Sequence, residues 1–224
     1  MFEDTAGGVA GPAADEDRLA PRLQRLAQAL EGNESRIWQP AFGRLRRAGF
    51  LANAPLLPAA VLIVLLEQSG GTGILLTRRC DDLAAHPGQV AFPGGAQESG
   101  DRDAEAAALR EAEEEVALRP ERVRILGRLP RYPTTTGYLV TPIVGHVAEA
   151  PTLRAQVGEV ADIFVLPLPI LLDSSRWEMR PLGVGAEPLL FPELAWKGQR
   201  IWGATAGMLQ LLLPPLRAAW NLGE

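Results

Sequence analysis

Three glutamates in the middle of the chain carry the clearest chemical signal. They lie in the run REAEEE, inside a predicted helix over residues 104–118. At about 100° per residue, Glu111, Glu114 and Glu115 share one third of the helix circumference, whereas Glu113 points roughly the opposite way. Crowded carboxylates repel one another unless cations bind between them, and their oxygens are preferred ligands of Mg²⁺ and Mn²⁺. The spacing therefore predicts a divalent metal site.

The surroundings of this acidic run favour the metal interpretation. Gly94 and Gly95 precede the helix, and glycines permit tight turns with exposed carbonyl groups that can join a metal site. We expect the carboxylates to face solvent, unshielded by the small residues of the preceding turns, Ala104, Ala107 and Ala108. The opposite face is expected to dock on the core through Ala106, Leu109, Ala112 and Val116. The alternative is an ordinary solvated acidic face.

The same residues resemble the box of the Nudix hydrolases, G-x5-E-x7-R-E-U-x-E-E-x-G-U, in which U is apolar. Gly95 corresponds to the first glycine and Asp101 to the first acid, and the run from Arg110 to Glu115 supplies R-E-U-x-E-E. Asp101 stands in place of glutamate, eight residues rather than seven separate it from Arg110, and Ala117 replaces the usual glycine. The resemblance implies an α/β/α sandwich with a mixed β-sheet.

The segment upstream is similar to the coenzyme A pyrophosphatase branch, with its LLTxR[SA]-x3-R-x3-G-x3-FPGG signature. Residues 75–79 read LLTRR and residues 86–95 read HPGQVAFPGG. Cys80 replaces Ser or Ala, and Ala84 replaces an arginine that could contact phosphate. Further similarity at residues 141–144, 158–160 and 201–206 extends the resemblance over about residues 57–213.

The resemblance implies a metal-dependent pyrophosphohydrolase that cleaves coenzyme A, or a derivative of it, to 3′,5′-ADP and 4′-phosphopantetheine. Mg²⁺ or Mn²⁺ ions would neutralise the diphosphate and lower the pKa of a water molecule. Glu111 and Glu115 are the first candidates for ligands, followed by Glu114 and the Gly95 carbonyl. Arg110 is expected to pair with Asp101 and hold the site's geometry. ADP-ribose or NADH as substrate, and a non-catalytic Nudix module, stay open as alternatives.

Three residues outside the acidic run are further candidates. Arg78 and Arg79 end a predicted strand beside the glycine loop, so one of them could meet a substrate phosphate, unless both are ordinary surface arginines. Glu159 precedes another predicted strand, and in Nudix enzymes an acid from a later loop often completes the metal site or serves as general base. A surface acid that caps a turn is the other interpretation of Glu159.

The rest of the sequence predicts the helices and strands that would position these residues. We expect a disordered tail over 1–16, a helical extension over 17–55 whose helix 17–30 is amphipathic, and a Nudix domain over 56–224. Residues 56–67 and 73–78 predict a β-hairpin. Further strands are predicted at 123–131, 137–147, 162–166, 177–181 and 189–191, and helices at 104–118, 169–173 and 204–213.

Composition limits the partners. The chain has 224 residues, 47% of them hydrophobic, and a net charge of −5, which argues against a nucleic-acid-binding surface. The longest apolar run, residues 58–66, is too short for a membrane span. A single cysteine and an N-terminus without signal-peptide character predict a cytoplasmic location. The expected partner is a small nucleotide-type substrate. Trp196, Trp202 and Trp220 are interpreted as core or subunit-interface anchors, which leaves a homodimer open.

Overall fold

The computed structural model describes residues 12–33, 35–38, 55–83, 86–182 and 189–222.

Strand β1 (Leu57–Gln68) lies at the centre of the main sheet. Along β1 the even-numbered side chains from Ala60 to Leu66 pack on one face of the sheet, while Ile63 and Leu65 pack on the other. Because both faces are covered, the strand is apolar throughout instead of alternating with polar residues.

The predicted hairpin is confirmed. Strand β2 (Gly71–Arg79) returns antiparallel to β1, with Gly71 opposite Gln68 and Ile74 opposite Leu65. The turn between them consists of Ser69 and Gly70. The hairpin carries Arg78 and Arg79 to the end of β2 that is farther from the turn.

The main sheet is mixed, as predicted. Besides β1 and β2, the strands are β3 (Val90–Ala91), β4 (Gly94–Ala96), β5 (Arg124–Arg128), β6 (Tyr132–Pro133), β7 (Tyr138–Val147), β8 (Val160–Pro167), β9 (Trp177–Leu182), β10 (Leu189–Trp196) and β11 (Gln199–Ile201). The order of the main sheet is β3-β2-β1-β7-β5, in which β1 and β7 are parallel; β4 also pairs with β1, β6 with β7 and β8 with β2. A separate antiparallel sheet has the order β11-β10-β9.

Helices cover both faces of the main sheet and make the predicted α/β/α sandwich. Helix α2 (Ala104–Val116) packs on one face, and α1 (Pro12–Leu30) and α4 (Gly203–Trp220) pack together on the other. A short α3 (Leu168–Leu172) follows β8, and 3₁₀ turns lie at Pro120–Arg122 and Ser174–Arg176. None of the described helices is long and apolar enough to cross a lipid bilayer.

Helix α1 begins at Pro12, so the prediction that the tail extends to residue 16 is wrong for its last five residues. Leu23, Leu26 and Leu30 are buried in the same core as the sheet, which confirms the amphipathic pattern. Residues 1–11, and residues 34 and 39–54 of the predicted helical extension, lie outside the described residues.

Two elements continue past prolines at which the prediction ended them. Helix α4 runs through Pro214 and Pro215 to Trp220, because burial of Leu216 and Ala219 in the core offsets the hydrogen bonds that the prolines cannot donate. Strand β10 runs past Pro192 to Trp196. At Pro192 the strand pairs with β9 alone, since β11 begins to pair only at Leu194, and an unpaired strand edge tolerates proline.

Candidate active site

Two glycines fix the loop that leads to helix α2. Gly94 and Gly95 pair with Val61 and Ala60 of β1, and Gly94 has a φ of +155°. A Cβ on Gly94 would collide with the Ala60 carbonyl oxygen and lie 2.6 Å from the Val61 Cα atom. A Cβ on Gly95 would lie 2.7 Å from the Glu111 carboxyl carbon. The absent side chains thus let the Gly95 backbone lie beside the Glu111 carboxylate.

Arg110 holds the loop and the helix together, and its predicted pairing with Asp101 is confirmed. Its Nε donates to Asp101 Oδ1 at 3.1 Å and its Nη2 to Oδ2 at 3.1 Å, a two-point contact. Its Nη1 donates to Glu111 Oε1 and to Glu114 Oε2, both at 3.0 Å. The hydrogen bond from Arg110, with one from the Glu98 backbone, lowers the pKa of Asp101. Arg110 therefore orients Glu111 and Glu114, two of the three candidate carboxylate ligands.

Helix α2 is rotated relative to the prediction. Ala107 and Ala108, expected on the acidic face, are buried against the sheet with Ala112 and Val116, whereas Ala106 is only half-buried. The alanines on the buried side let the helix approach the sheet closely. The face that packs on the sheet lies next to the acidic face of the helix, not opposite it. Glu115 falls on the boundary between the two faces.

Glu115 is consequently buried, not solvent-facing as expected. It is 4% exposed, its Oε2 accepts a hydrogen bond from the Gly94 backbone N–H at 3.3 Å, and Arg79 lies 3.7 Å from Oε1. Burial, reinforced by the charge of Glu111, raises the pKa of Glu115 to about 7, although the positive charge of Arg79 opposes the rise. This carboxylate is fixed in position and costly to ionise without a cation beside it.

Glu159 lies near Glu111 and Glu115 in the structure. Glu159 lies in the turn before β8, where its carbonyl oxygen accepts a hydrogen bond from the Cys80 backbone at 2.8 Å. Its negative charge contributes to the raised pKa of both Glu111 and Glu115, although burial is the largest cause for each. The Gln156 N–H of this turn donates to the Glu115 carbonyl oxygen at 2.8 Å, so Glu159 lies near the end of α2 and makes up an acidic cluster with Glu111 and Glu115.

The two arginines at the end of β2 separate in space. The β2–β8 register shifts between Arg78 and Arg79, and such a bulge re-aims side chains. Arg78 pairs with Asp81 at 3.2 Å on the surface. Arg79 turns toward Glu115, and its Nε is buried with no hydrogen-bond partner among the described residues. Of the two, Arg79 is positioned beside the acidic cluster.

The donor types at this cluster suit a divalent cation. Glu111, Glu115 and Glu159 offer carboxylate oxygens that repel one another, and Gly95 adds a backbone carbonyl next to Glu111. Glu114 is more exposed and is engaged by Arg110. Among the described side chains, no group of three or more His, Cys, Asp or Glu is already arranged to hold an ion. The donor types and their charge thus suit a hard cation, while Arg110 engages Glu111 and Glu114.

The sequence model of the NUDIX domain matches residues 56–180, which is more than half of the chain. The chain belongs to the Nudix family. This confirms the resemblance read from the Gly95 to Glu115 box, and Ala117 shows why the box usually has glycine there: it has a φ of 57° at the C-terminus of α2. As a Nudix hydrolase, the protein acts on a nucleoside diphosphate derivative.

Other Nudix proteins are similar over much of the chain. Proteins called "Uncharacterized Nudix hydrolase NudL" from Enterobacter sp. (strain 638) and Escherichia coli (strain K12) are each 44% identical over 158 residues, covering 69% of this chain and 80% of the relative. The crystal structure of an Ap4A hydrolase binary complex from C. elegans is 20% identical, with a TM-score of 0.43 over 50% of this chain and 80% of that one.

A cleft beside the Nudix helix contains residues that the sequence analysis missed. It has a volume of about 260 Å³, and Arg79, Gly94 and His86 lie along it. Its other lining residues include Phe92 of the same loop and, from distant segments, Tyr132, Thr134, Phe191 and Trp202. Trp202 is therefore a cleft residue, not only a core anchor.

Trp196 stacks on Phe164 with 5.9 Å between the ring centroids, and the Arg22 guanidinium lies over the Trp220 ring at 5.8 Å. Ala84, the departure from the branch signature, lies outside the described residues.

Proposed function

We propose that this Nudix hydrolase cleaves the diphosphate of coenzyme A, or of a coenzyme A derivative, with Mg²⁺ or Mn²⁺ as cofactor. Water would add across the P–O–P bridge and give 3′,5′-ADP and 4′-phosphopantetheine. The coenzyme A assignment is supported by the branch signature, LLTRR at 75–79 followed by HPGQVAFPGG at 86–95. In the fold, these segments form the end of β2 and the loop through β3 and β4, beside the acidic cluster.

The cluster of Glu111, Glu115 and Glu159 carries the proposal of metal-dependent hydrolysis. Burial raises the pKa values of Glu111 and Glu115 despite the opposing charges of Arg110 and Arg79, so a further cation beside these carboxylates would favour their ionised form. Glu111 and Glu115 would hold the cation, with Glu114 and the Gly95 carbonyl as further ligands. The bound cation would neutralise the diphosphate and make a water molecule more acidic.

The chain's own residues have distinct proposed tasks. Glu159, exposed at the rim of the cluster, would take the proton from the attacking water as general base. Arg79 would hold a substrate phosphate, because its Nε is buried without a partner and its side chain borders the cleft. Arg110 is a positioning residue that binds Asp101, Glu111 and Glu114 and fixes the helix relative to the loop.

Turnover on a substrate panel tests the proposal. The purified protein is incubated with coenzyme A, ADP-ribose and NADH in Mg²⁺, in Mn²⁺ and in EDTA, and products are identified by mass. We expect 3′,5′-ADP and 4′-phosphopantetheine from coenzyme A, dependent on metal. Faster cleavage of ADP-ribose or NADH would overturn the coenzyme A assignment, and no cleavage of any substrate would favour a non-catalytic Nudix module. A homodimer and a cytoplasmic location stay predictions.

A further inference from the structure

The glycine loop of the candidate active site begins in a very short strand. Strand β3 consists of Val90 and Ala91, and it lies at the edge of the main sheet, beside β2. Two residues share few backbone hydrogen bonds with a neighbouring strand, and each such bond adds only modestly to stability. The loop that follows brings the Gly94 N–H to the Glu115 carboxylate. The position of β3 therefore bears on the acidic cluster.

The outer side of β3 needs a hydrogen-bond donor. Arg79 of β2 donates its backbone N–H to the Gln89 carbonyl oxygen at 3.0 Å. Backbone groups alternate in direction along an antiparallel strand, so Val90, the next residue, points its carbonyl oxygen away from β2. Val90 is buried, and a buried carbonyl without a partner is costly. Another element must therefore supply a donor.

A threonine of the C-terminal helix is this donor. Thr205 lies in the first turn of α4, and its hydroxyl donates to the Val90 carbonyl oxygen at 2.9 Å, in a buried position. Thr205 lies outside residues 56–180, the part of the chain that matches the NUDIX model. A helix beyond the matched region thus holds the strand from which the glycine loop starts.

A second threonine holds the other side of the same strand. Thr77 of β2 is 1% exposed, and its hydroxyl donates to the Ala91 carbonyl oxygen at 3.3 Å. Further along the loop, the Leu62 backbone N–H donates to the Pro93 carbonyl oxygen at 2.8 Å. The strand and its loop are therefore attached to β2, α4 and β1 together.

We propose that Thr77 and Thr205 are positioning residues for the hydrolysis, because they fix β3 and, through it, the backbone groups that the glycine loop presents. These groups are the Gly94 N–H, which donates to Glu115 Oε2 at 3.3 Å, and the Gly95 carbonyl. The inference rests on the proposed metal-dependent cleavage. It gives α4 a task in that reaction, although the helix supplies no ligand. The alternative is that both hydroxyls only stabilise the fold.

Hydrogen exchange of the Gly94 amide tests the two threonines without turnover. Exchange is followed by nuclear magnetic resonance in the metal-free protein, at one pH, for wild type, Thr205→Val and Thr77→Val. Valine has nearly the size of threonine and lacks the hydroxyl. We expect exchange to be about 10-fold faster in both variants, because loss of a buried hydrogen bond favours local opening by roughly this factor. Thr205→Ser, which keeps a hydroxyl, should exchange within about 2-fold of wild type.

Thr72→Val is the matched control. Thr72 lies in the same strand as Thr77, next to the hairpin turn, and its hydroxyl donates to Glu67 Oε2 at 2.9 Å. The variant loses one threonine hydrogen bond far along β2 from β3. It should leave both the Gly94 exchange rate and turnover as in wild type. Faster Gly94 exchange in Thr72→Val as well would show a general loss of stability and overturn the proposal.

Steady-state kinetics separate positioning from substrate contact, since Thr205 also borders the cleft. We expect Thr205→Val to lower kcat about 10-fold with KM within about 2-fold, and Thr205→Ser to recover kcat. A rise in KM alone would show that Thr205 contacts substrate and would overturn the positioning role. Wild-type kcat in a variant with faster Gly94 exchange would do the same. If Thr205→Val does not fold, Thr77→Val provides the same two measurements.

The exchange experiment needs neither metal nor substrate, so this proposal and the proposed function fail separately. Faster Gly94 exchange in both valine variants, in a protein that does not cleave coenzyme A, refutes the substrate assignment alone. Cleavage of coenzyme A with unchanged Gly94 exchange in Thr205→Val and Thr77→Val refutes the positioning role alone.

Discussion

At the scale of single residues, Glu115 combines burial with a negative charge. It is 4% exposed and receives a hydrogen bond from the Gly94 backbone. A buried carboxylate is stable only when a cation or several donors compensate it. Glu115 has one N–H donor at 3.3 Å and Arg79 at 3.7 Å, which leaves its pKa raised to about 7. Because the donors and the positive charge around this carboxylate are too few, we propose Glu115 as a metal ligand.

Glu115→Gln is expected to lower kcat by a factor on the order of 10²–10³ while the protein stays folded. Glutamine has the same size, and it removes the charge that would hold the cation. The matched control is Glu113→Gln, an exposed residue of the same helix that lies away from the cluster and should keep wild-type turnover. Steady-state kinetics and far-ultraviolet circular dichroism provide the readout. A folded Glu115→Gln enzyme with near wild-type turnover would contradict the site assignment.

Glu159→Gln tests the general base. Loss of a general base typically costs about 10²–10⁴ in rate, so Glu159→Gln is expected to lower kcat by a factor in that range. The control is Asp162→Asn, an exposed acid three residues further along the same segment. Turnover measured across pH distinguishes the interpretations. If Glu159→Gln keeps both the rate and the profile of the wild type, Glu159 is structural and Glu111 becomes the candidate base.

The metal-free protein is expected to lose stability as the pH rises from about 4.5 to about 7. The pKa of Glu115 rises from an ordinary 4.5 to about 7 on folding, chiefly because of burial. The folded state therefore binds more protons than the unfolded state over this interval, and the stabilisation present at low pH is lost through it. In EDTA, Glu115→Gln should match wild type near pH 4.5 and exceed it in Tm at pH 8. An equal Tm difference at both pH values would show that Glu115 ionises normally.

At the scale of elements, helix α2 is defined by its ends. Asp103 caps the first turn by accepting the Ala106 backbone N–H at 2.8 Å. The last turn closes on Ala117, whose N–H donates to the carbonyl oxygens of Ala112 and Glu113 while its φ is 57°. A left-handed residue that is not glycine costs roughly 1–2 kcal/mol. The chain therefore carries strain at the end of α2.

Ala117→Gly is expected to stabilise the protein by about 0.5–1 kcal/mol, since relief of strain exceeds the entropy that glycine loses on folding. The comparison variant, Glu113→Gly, places glycine at an exposed site inside the same helix and should destabilise by about 1 kcal/mol. Urea unfolding monitored by circular dichroism measures both. A loss of stability in Ala117→Gly would show that the residue does not adopt the left-handed conformation in solution.

At the scale of the whole molecule, helix α1 is part of the main core, although the sequence analysis assigned it to an extension. Leu26 is fully buried in the cluster that joins β1 to α4. Arg25 donates two hydrogen bonds, at 3.0 and 2.7 Å, to the Ala219 carbonyl oxygen near the end of α4. The N-terminal helix thus closes one face of the sheet and contacts the last helix of the chain.

Leu26→Ala is expected to destabilise the whole protein by about 2–5 kcal/mol, with a single unfolding transition, because it opens a cavity in that shared core. Leu19→Ala, the same change at a partly buried position of the same helix, should cost clearly less. Denaturant unfolding followed by circular dichroism and by tryptophan fluorescence reports both. If Leu26→Ala changed the stability by less than about 0.5 kcal/mol, α1 would be an independent extension.

The sequence by itself determined the features that depend on local spacing and local geometry. The order of the helices and longer strands, the hairpin of β1 and β2, the Nudix box and the pairing of Arg110 with Asp101 all follow from residues close together along the chain. The short strands β3, β4, β6 and β11 were not predicted, because two or three residues carry no periodic pattern. Elements were misjudged where long-range packing outweighs a local rule. Leu216 and Ala219 are buried deeply enough to carry α4 past two prolines, and the partner strand β9 carries β10 past one.

Only the tertiary structure decided how segments far apart in sequence meet. It brought Glu159 to Glu111 and Glu115, turned Arg79 rather than Arg78 toward them, and assembled the cleft from Phe191, Trp202 and Tyr132. It also rotated α2 so that Glu115 is buried. The physical reason is that charge, burial and pKa depend on distances in space, and the sheet's register and the packing of α2 on it fix those distances.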